Sequence, residues 1–331
     1  MNGTLTDVAG LEVGHHTDPA HGTGCTVVIT RTGAVGGVDV RGASPGTRET
    51  DLLRAENAVP HVHGLLLSGG SAYGLAAANG VVRYLEEHGC GHRVGEFLVP
   101  IVAGAIIFDL GLVDGSVRPT DADGYAAAVA ASSAPVGQGS VGGGTGATVG
   151  KAWGRARAMK GGVGSASLDA GQGLTLAALA VVNAVGSVHD PDSGALLAGP
   201  RDEAGRPTSA VDVYADPSYG HRGLRHVPAG GPETGGNTTI AVVATNAVLT
   251  KAQANRLATV AHDGIALAVR PAHTLHDGDT VFSLATGLLD APEEFPRLCA
   301  LAPTVLARAI AAAVRSATGL GGIPSLNEVH P

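Results

Sequence analysis

In the run Gly235-Gly236-Asn237-Thr238-Thr239-Ile240-Ala241-Val242-Val243-Ala244-Thr245-Asn246 a flexible turn delivers a hydroxyl residue onto the first position of an apolar strand. The two glycines reach backbone conformations that other residues avoid, so the Asn237–Thr238 peptide can be bent until the Thr238 hydroxyl attacks the Asn237 carbonyl. An N→O acyl shift and hydrolysis would leave a chain beginning at Thr238. Its free α-amino group, with a pKa of about 8, can take the proton of its own hydroxyl, so one residue supplies both nucleophile and base. The same residues also suit an ordinary Gly-Gly-Asn turn feeding a β-branched strand. The rest of the chain has to decide between the two.

With 331 residues, 44% of them hydrophobic, the chain builds a sizeable core as one large domain or two. Aromatic residues are only 3% while glycine reaches 51 residues, which predicts a core of Ala, Val and Leu in layered sheets and helices whose backbones approach closely. A net charge of −8 and no basic run with interleaved aromatics argue against a nucleic-acid partner. The start, MNGTLTDVAGLEVGHH, has neither a cationic nor an apolar leader region, so a cytoplasmic location is expected. Cys25, Cys90 and Cys299 are odd in number and widely separated, and read as reduced packing residues. Even LAALAVVNAVGSV is broken by Asn183, Gly186 and Ser187, so no membrane span is expected.

Strand-like runs occur at GCTVVIT, AVGGVDV, VHGLLLS and TIAVVAT, and AHDGIALAV offers strand-like material too. Helical periodicity fits SAYGLAAANGVVRYLEEHG and TKAQANRLATVAHDGIALAV, so the last stretch is open to either reading. The Ala-rich APTVLARAIAAAVRSATGL reads as a surface-packed helix. From about Asp190 to Thr234 the chain turns polar and rich in Pro and Gly, predicting a linker with little regular structure that ends at the candidate scissile bond.

Several motifs fail on inspection. GGGTGATVGKAW has the wrong spacing for a phosphate loop and carries Ala152 where a magnesium-binding hydroxyl belongs; GQGSVG does not follow a strand; and LSGGSAYGL has Tyr73 where a nucleophile elbow needs glycine. No cofactor is expected. His88, Cys90 and His92, and the group His273, His276, Asp277 and Asp279, lack metal-ligand spacing, so no metal is expected either. Chemistry points elsewhere. Asp277 and Asp279 flank a glycine and can present two carboxylates to an ammonium or hydroxyl, Lys151 can donate to an oxyanion, and Asn183 is an amide inside an apolar run that must find partners.

From TDVAGLEVGHHTD through GCTVVI, VDVRGASPGTRETDLL, LLLSGGSAYGLAAANGVVRYLEE, PIVAGAIIFDLG, GGGTGATVGKAWG and MKGGVGSAS to GGNTTIAVVATNAVLT and HTLHDGDTVFSLAT, the chain resembles the L-aminopeptidase/D-esterase family. That family includes β-peptidyl aminopeptidases and the nylon-oligomer endo-hydrolase. The resemblance covers nearly the whole chain. It implies a self-processing N-terminal-nucleophile hydrolase, an α+β fold built as a four-layer αββα sandwich, and cleavage at Asn237–Thr238 into an α piece of residues 1–237 and a β piece of 238–331 in one domain. Carried over by motif, the site residues are Thr238, Lys151 of TVGK, Asn183 of VVNAVG, and Asp277 and Asp279 of HDGDT. A homo-oligomer, a tetramer of αβ units, is also implied. Asn-Thr-Thr looks like the nylon-oligomer hydrolase, in which the nucleophile is threonine, whereas the aminopeptidases use serine. One departure is Phe108 in AIIFDL, where that hydrolase has a functional tyrosine.

The leading expectation is an amide hydrolase acting on small amino-terminal peptides, amides or esters, with 6-aminohexanoate oligomers as further candidate substrates. Two alternatives remain. One is an acyltransferase of the ornithine acetyltransferase type, and the other is an inactive binding paralogue whose strand motif is structural.

Overall fold

Two of the strand-like runs, GCTVVIT and AVGGVDV, lie on a single 18-residue strand, Thr23–Val40, and that strand organises the molecule. The computed structural model describes residues 3–219 and 236–329. Numbered in chain order, the strands of its nine-stranded sheet are β1 (Glu12–Asp18), β2 (Thr23–Val40), β3 (Thr47–Arg48), β4 (His61–Ser68), β5 (Val102–Ile106), β6 (Gly162–Asp169), β7 (Thr175–Asn183), β8 (Thr238–Ala247) and β9 (Thr280–Leu289). Hydrogen bonding runs in the order β6-β7-β8-β9-β2-β4-β5-β3, with β1 also on β2. The first half of β2 pairs with β1 and β4; past a register break between Ile29 and Ala34, Ala34 and Val35 still pair with β4 while the stretch from Val35 to Val40 pairs with β9. The β8–β9 and β4–β5 pairs are parallel.

Side-chain alternation shows which faces meet. Val28 of β2 and Leu65 and Leu67 of β4 share one buried cluster with Leu179 and Val181 of β7, Ile240 and Val242 of β8, and Phe282 of β9. The two halves of the sheet therefore stack on each other. The helices are α1 (Ala77–Glu87), α2 (Asp121–Val129), α3 (Ala210–Ala215), α4 (Lys251–Ala268), α5 (Phe295–Arg315) and α6 (Leu326–Val329). On β7 and β8 the alternate residues Ala178, Ala180, Ala241 and Val243 face α4 and α5, whereas on β2 and β4 Val27, Ile29 and Leu66 face α1 and α2. Helices, sheet, sheet and helices make four layers. The small side chains foreseen from composition fill this core, and at Gly264 of α4 an added Cβ would sit 2.4 Å from the Pro303 carbonyl of α5.

Some elements differ from the sequence reading. AHDGIALAV is helical through Ala268, because Ala261, Ile265 and Ala268 recur at helical spacing against the core, and Thr250 caps α4 with Gln253. SAYGLA forms a 3₁₀ turn (Ser71–Ala76) before α1 begins. The C-terminal helix starts earlier than in the sequence reading, at Phe295, and carries Pro303 inside; Leu298, Ala302, Val305, Leu306 and Ile310 are buried against the core while Arg297, Ala300 and Arg315 stay exposed. By length and composition the stretch Pro292–Arg315 could cross a bilayer, yet 56% of its apolar window is buried inside the molecule. Within the expected linker, Leu196–Ala198 is a strand and Ala210–Ala215 is helix α3. The remainder of that linker, 220–234, lies outside the described residues, as does Gly235.

Candidate active site

Thr238 opens β8 and pairs directly across from Asn183, the last residue of β7. By strand alternation both side chains fall on the inter-sheet face, with Ile240 and Val181. Asn183 is fully buried and Thr238 is 3% exposed. An amide in that position must be satisfied, and it is. Its Oδ1 accepts from the Thr148 amide at 3.0 Å and from Lys151 Nζ at 2.9 Å, while Nδ2 donates to the Phe108 and Gly236 carbonyls, both at 3.1 Å. Lys151, pinned by its backbone N–H to the Val185 carbonyl at 3.0 Å, sends Nζ also to the Asn183 and Gly236 carbonyls, each at 2.9 Å.

The acidic pair arrives from the turn before β9. There the parallel pairing of β8 and β9 is prolonged by an isolated bridge between Asn237 and Asp277, in which the Gly278 amide donates to the Asn237 carbonyl at 3.0 Å. The Thr238 hydroxyl donates to the same carbonyl. Only glycine fits at 278, where a Cβ would lie 2.8 Å from both Thr238 Oγ1 and the Ser44 carbonyl. Asp279 accepts the Thr239 amide on Oδ1 at 2.6 Å, and on Oδ2 it meets the His273 amide at 3.1 Å and ring Nδ1 at 2.8 Å. Asp277 Oδ2 accepts the Thr274 amide at 2.6 Å. Burial and, after it, the neighbouring Asp279 charge push the Asp277 carboxyl above the usual carboxylate range, while the bond to Asp279 pushes the His273 ring up.

Lys151, Asn183, Asp277 and Asp279 are thus gathered around the Gly236–Thr239 segment that carries Thr238, from three other parts of the chain. Lys151 and the Asn183 amide meet the Gly236 carbonyl, whereas the carbonyl of the Asn237–Thr238 bond meets the Gly278 amide. Sequence reasoning missed the main-chain participants, Thr148, Gly278 and the Phe108 carbonyl, because backbone groups leave no side-chain pattern. Phe108 has no hydroxyl to offer but supplies its carbonyl to Asn183. His273 was visible only as one member of a metal-type cluster. Among the described residues no group of three or more His, Cys, Asp or Glu side chains is arranged to hold a metal ion. The glycine-rich stretch before Lys151 is scaffold: buried Lys160 donates to its Thr145 and Ala147 carbonyls, both at 2.7 Å.

The fold is shared with solved proteins. A solved L-aminopeptidase D-Ala-esterase/amidase from Ochrobactrum anthropi, described as a variant of the Ntn hydrolase fold, superposes with a TM-score of 0.71 at 21% identity, covering 97% of this chain and 88% of that one. A β-aminopeptidase from Burkholderia sp. gives 0.69 at 22% identity over 98% and 91%. These two show the fold. In sequence, an uncharacterized aminopeptidase of Mycobacterium tuberculosis is 44% identical over 99% of this chain and 98% of its own length. The 6-aminohexanoate-oligomer endohydrolase of Paenarthrobacter ureafaciens is 31% identical over 86% and 76%. The model of peptidase family S58 matches residues 3–326, and the chain, a hydrolase with the N-terminal-nucleophile fold, belongs to that family.

Proposed function

We propose that the protein is a self-processing N-terminal-threonine hydrolase that cuts its own Asn237–Thr238 bond and then hydrolyses small amides, peptides or esters bearing a free amine. The observation that carries this reading is the Thr238 hydroxyl lying against the Asn237 carbonyl, which already holds a hydrogen bond from the Gly278 amide at 3.0 Å. In maturation Thr238 Oγ bonds to the Asn237 carbonyl carbon, the C–N bond breaks, and the proton released by the hydroxyl ends on the new α-amine. Water then hydrolyses the ester, leaving an Asn237 carboxylate and a free Thr238. Gly278 N–H supports the oxyanion of this step.

In turnover the α-amine takes the Oγ proton, Oγ attacks the substrate carbonyl, and the leaving amine departs with that proton. Water releases the acyl group from the ester. Once the Gly236 segment has moved away, Lys151 and Asn183 become the donors for the developing oxyanion. Asp279 spends both oxygens on fixing the Thr239 amide and His273, so Asp277 is the carboxylate that meets a substrate ammonium. The two pieces, 1–237 and 238–331, stay in one domain because β8 keeps its ladder with β7. Assembly of such αβ units into an oligomer and a cytoplasmic location complete the reading. A 6-aminohexanoate oligomer presents the same amine and amide, and with Phe108 at the tyrosine position it is expected to be the poorer substrate.

Intact-mass measurement of the purified wild-type protein should give two pieces split after Asn237, while Thr238→Ala stays a single chain. Cleavage of that variant at the same bond would overturn the scheme. On an alanine p-nitroanilide the matured protein should act at least about tenfold faster than on its N-acetylated form, as expected when a charged contact is lost. Equal rates would remove Asp277 from substrate recognition.

A further inference from the structure

The loop that carries Asp277 and Asp279 also carries His273, a residue that the scheme above uses only as a hydrogen-bond donor. His273 sits at φ +56, a left-handed conformation uncommon for a residue with a side chain, and one that persists only where the surroundings hold it. What holds it is Asp279. The amide and ring of His273 converge on the single oxygen Oδ2, leaving Oδ1 for the amide of Thr239, the residue after the nucleophile.

The charged and titratable groups facing the ring come from three places. Asp277 and Asp279 belong to its own loop, Arg41 follows β2, and His262 stands on α4 with ring centroids 5.0 Å apart. His262 is 1% exposed and bonded through Nε2 to the Asp39 carbonyl at 2.9 Å; burial pushes it down to about 4, so it stays neutral. Asp39 is paired in turn with Arg41 at 3.2 Å. The behaviour of His273 is therefore set by the acidic pair.

Resting on the proposed function, we propose that His273 is a positioning residue: it fixes the Asp279 carboxylate onto the Thr239 amide and, when protonated, offsets the charge of the acidic pair beside the nucleophile. Two carboxylates near the Thr238 α-amine favour its charged form, which cannot accept the Oγ proton. A protonated His273 counters them and keeps the amine basic form available to lower pH. The ring's preference for the protonated form, raised above 6.5, agrees with that role.

His273→Asn tests the charge without the shape, because asparagine tolerates a left-handed backbone and its amide can still donate to Asp279. The acid limb of its kcat profile should lie roughly half to one pH unit above that of the wild type. His273→Leu, which removes the donor as well, should lose at least about tenfold in kcat with KM changed less than about twofold, and Asn should recover most of that loss. An unmoved acid limb in His273→Asn overturns the proposal. Should both variants fail to fold, ring NMR of histidines decides. A His273 titrating above 6.5 in the wild type and lower in Asp279→Asn supports the proposal, and one titrating at or below 6.5 in the wild type overturns it. If the wild-type protein hydrolyses no amide, the proposed function fails while the ring titration still reads His273.

Discussion

Among the described residues, the ammonium of Lys151 meets three acceptors at 2.9 Å, two of them on Asn183 and the third on Gly236. Removing it leaves the Asn183 Oδ1 with the Thr148 amide, so the amide keeps its orientation while the Gly236 carbonyl loses its charged donor. Lys151→Met is therefore expected to fold and to lower kcat/KM on an alanine anilide by a factor on the order of 10² to 10³, the usual cost of one oxyanion donor. Lys151→Arg should recover little, since a planar guanidinium does not reproduce three converging bonds from one nitrogen. A loss below about threefold in steady-state assays would take Lys151 out of the chemistry. At this scale the sequence was informative wherever chemistry resides in a side chain. An amide in an apolar run had to be satisfied, and two carboxylates around a glycine had to face something. It was silent about Gly278 N–H and the Phe108 carbonyl, whose usefulness depends on where the backbone turns.

Among the elements, the C-terminal helices show how close packing sets limits. Gly264→Ala would by itself raise the helix propensity of α4 by about 1 kcal/mol. Here the new methyl would meet the Pro303 carbonyl at 2.4 Å, a backbone atom that yields only if α5 moves. Overpacking of this kind costs about 1–3 kcal/mol and should outweigh the propensity gain, so denaturant unfolding should show a lower midpoint for the variant. A raised midpoint would mean that the two helices are free to separate. Periodicity located α4 because Thr250 caps it and its buried positions recur every three or four residues. It left AHDGIALAV open, since a short apolar stretch suits a strand as well. It also gave β2 as two separate runs, GCTVVIT and AVGGVDV, because their continuity rests on pairing with β4 and β9, partners far along the chain.

Across the whole molecule, the glycine-rich stretch is held by Lys160, fully buried beside Asp109. Burial pushes its pKa from 10.5 down to about 7. A depressed lysine means that the folded state prefers the neutral amine, so its contribution to stability is complete above 10.5 and is lost as pH falls through about 7. Lys160→Met should therefore flatten the rise in stability that the wild type shows between those values, measured as melting temperature against pH. Parallel curves for the two proteins would show that the lysine stays charged in the fold.

The four-layer arrangement also has a kinetic consequence for the Gly236 carbonyl, which Lys151 and Asn183 both hold. Under the proposed processing the precursor carries its own competitive ligand, a tethered one that added substrate must displace. Breaking the Asn237–Thr238 bond cuts the tether but does not empty the seat. A nicked enzyme with its tail still docked is silent, and the delay between the appearance of two pieces and the appearance of turnover is the residence time of that tail.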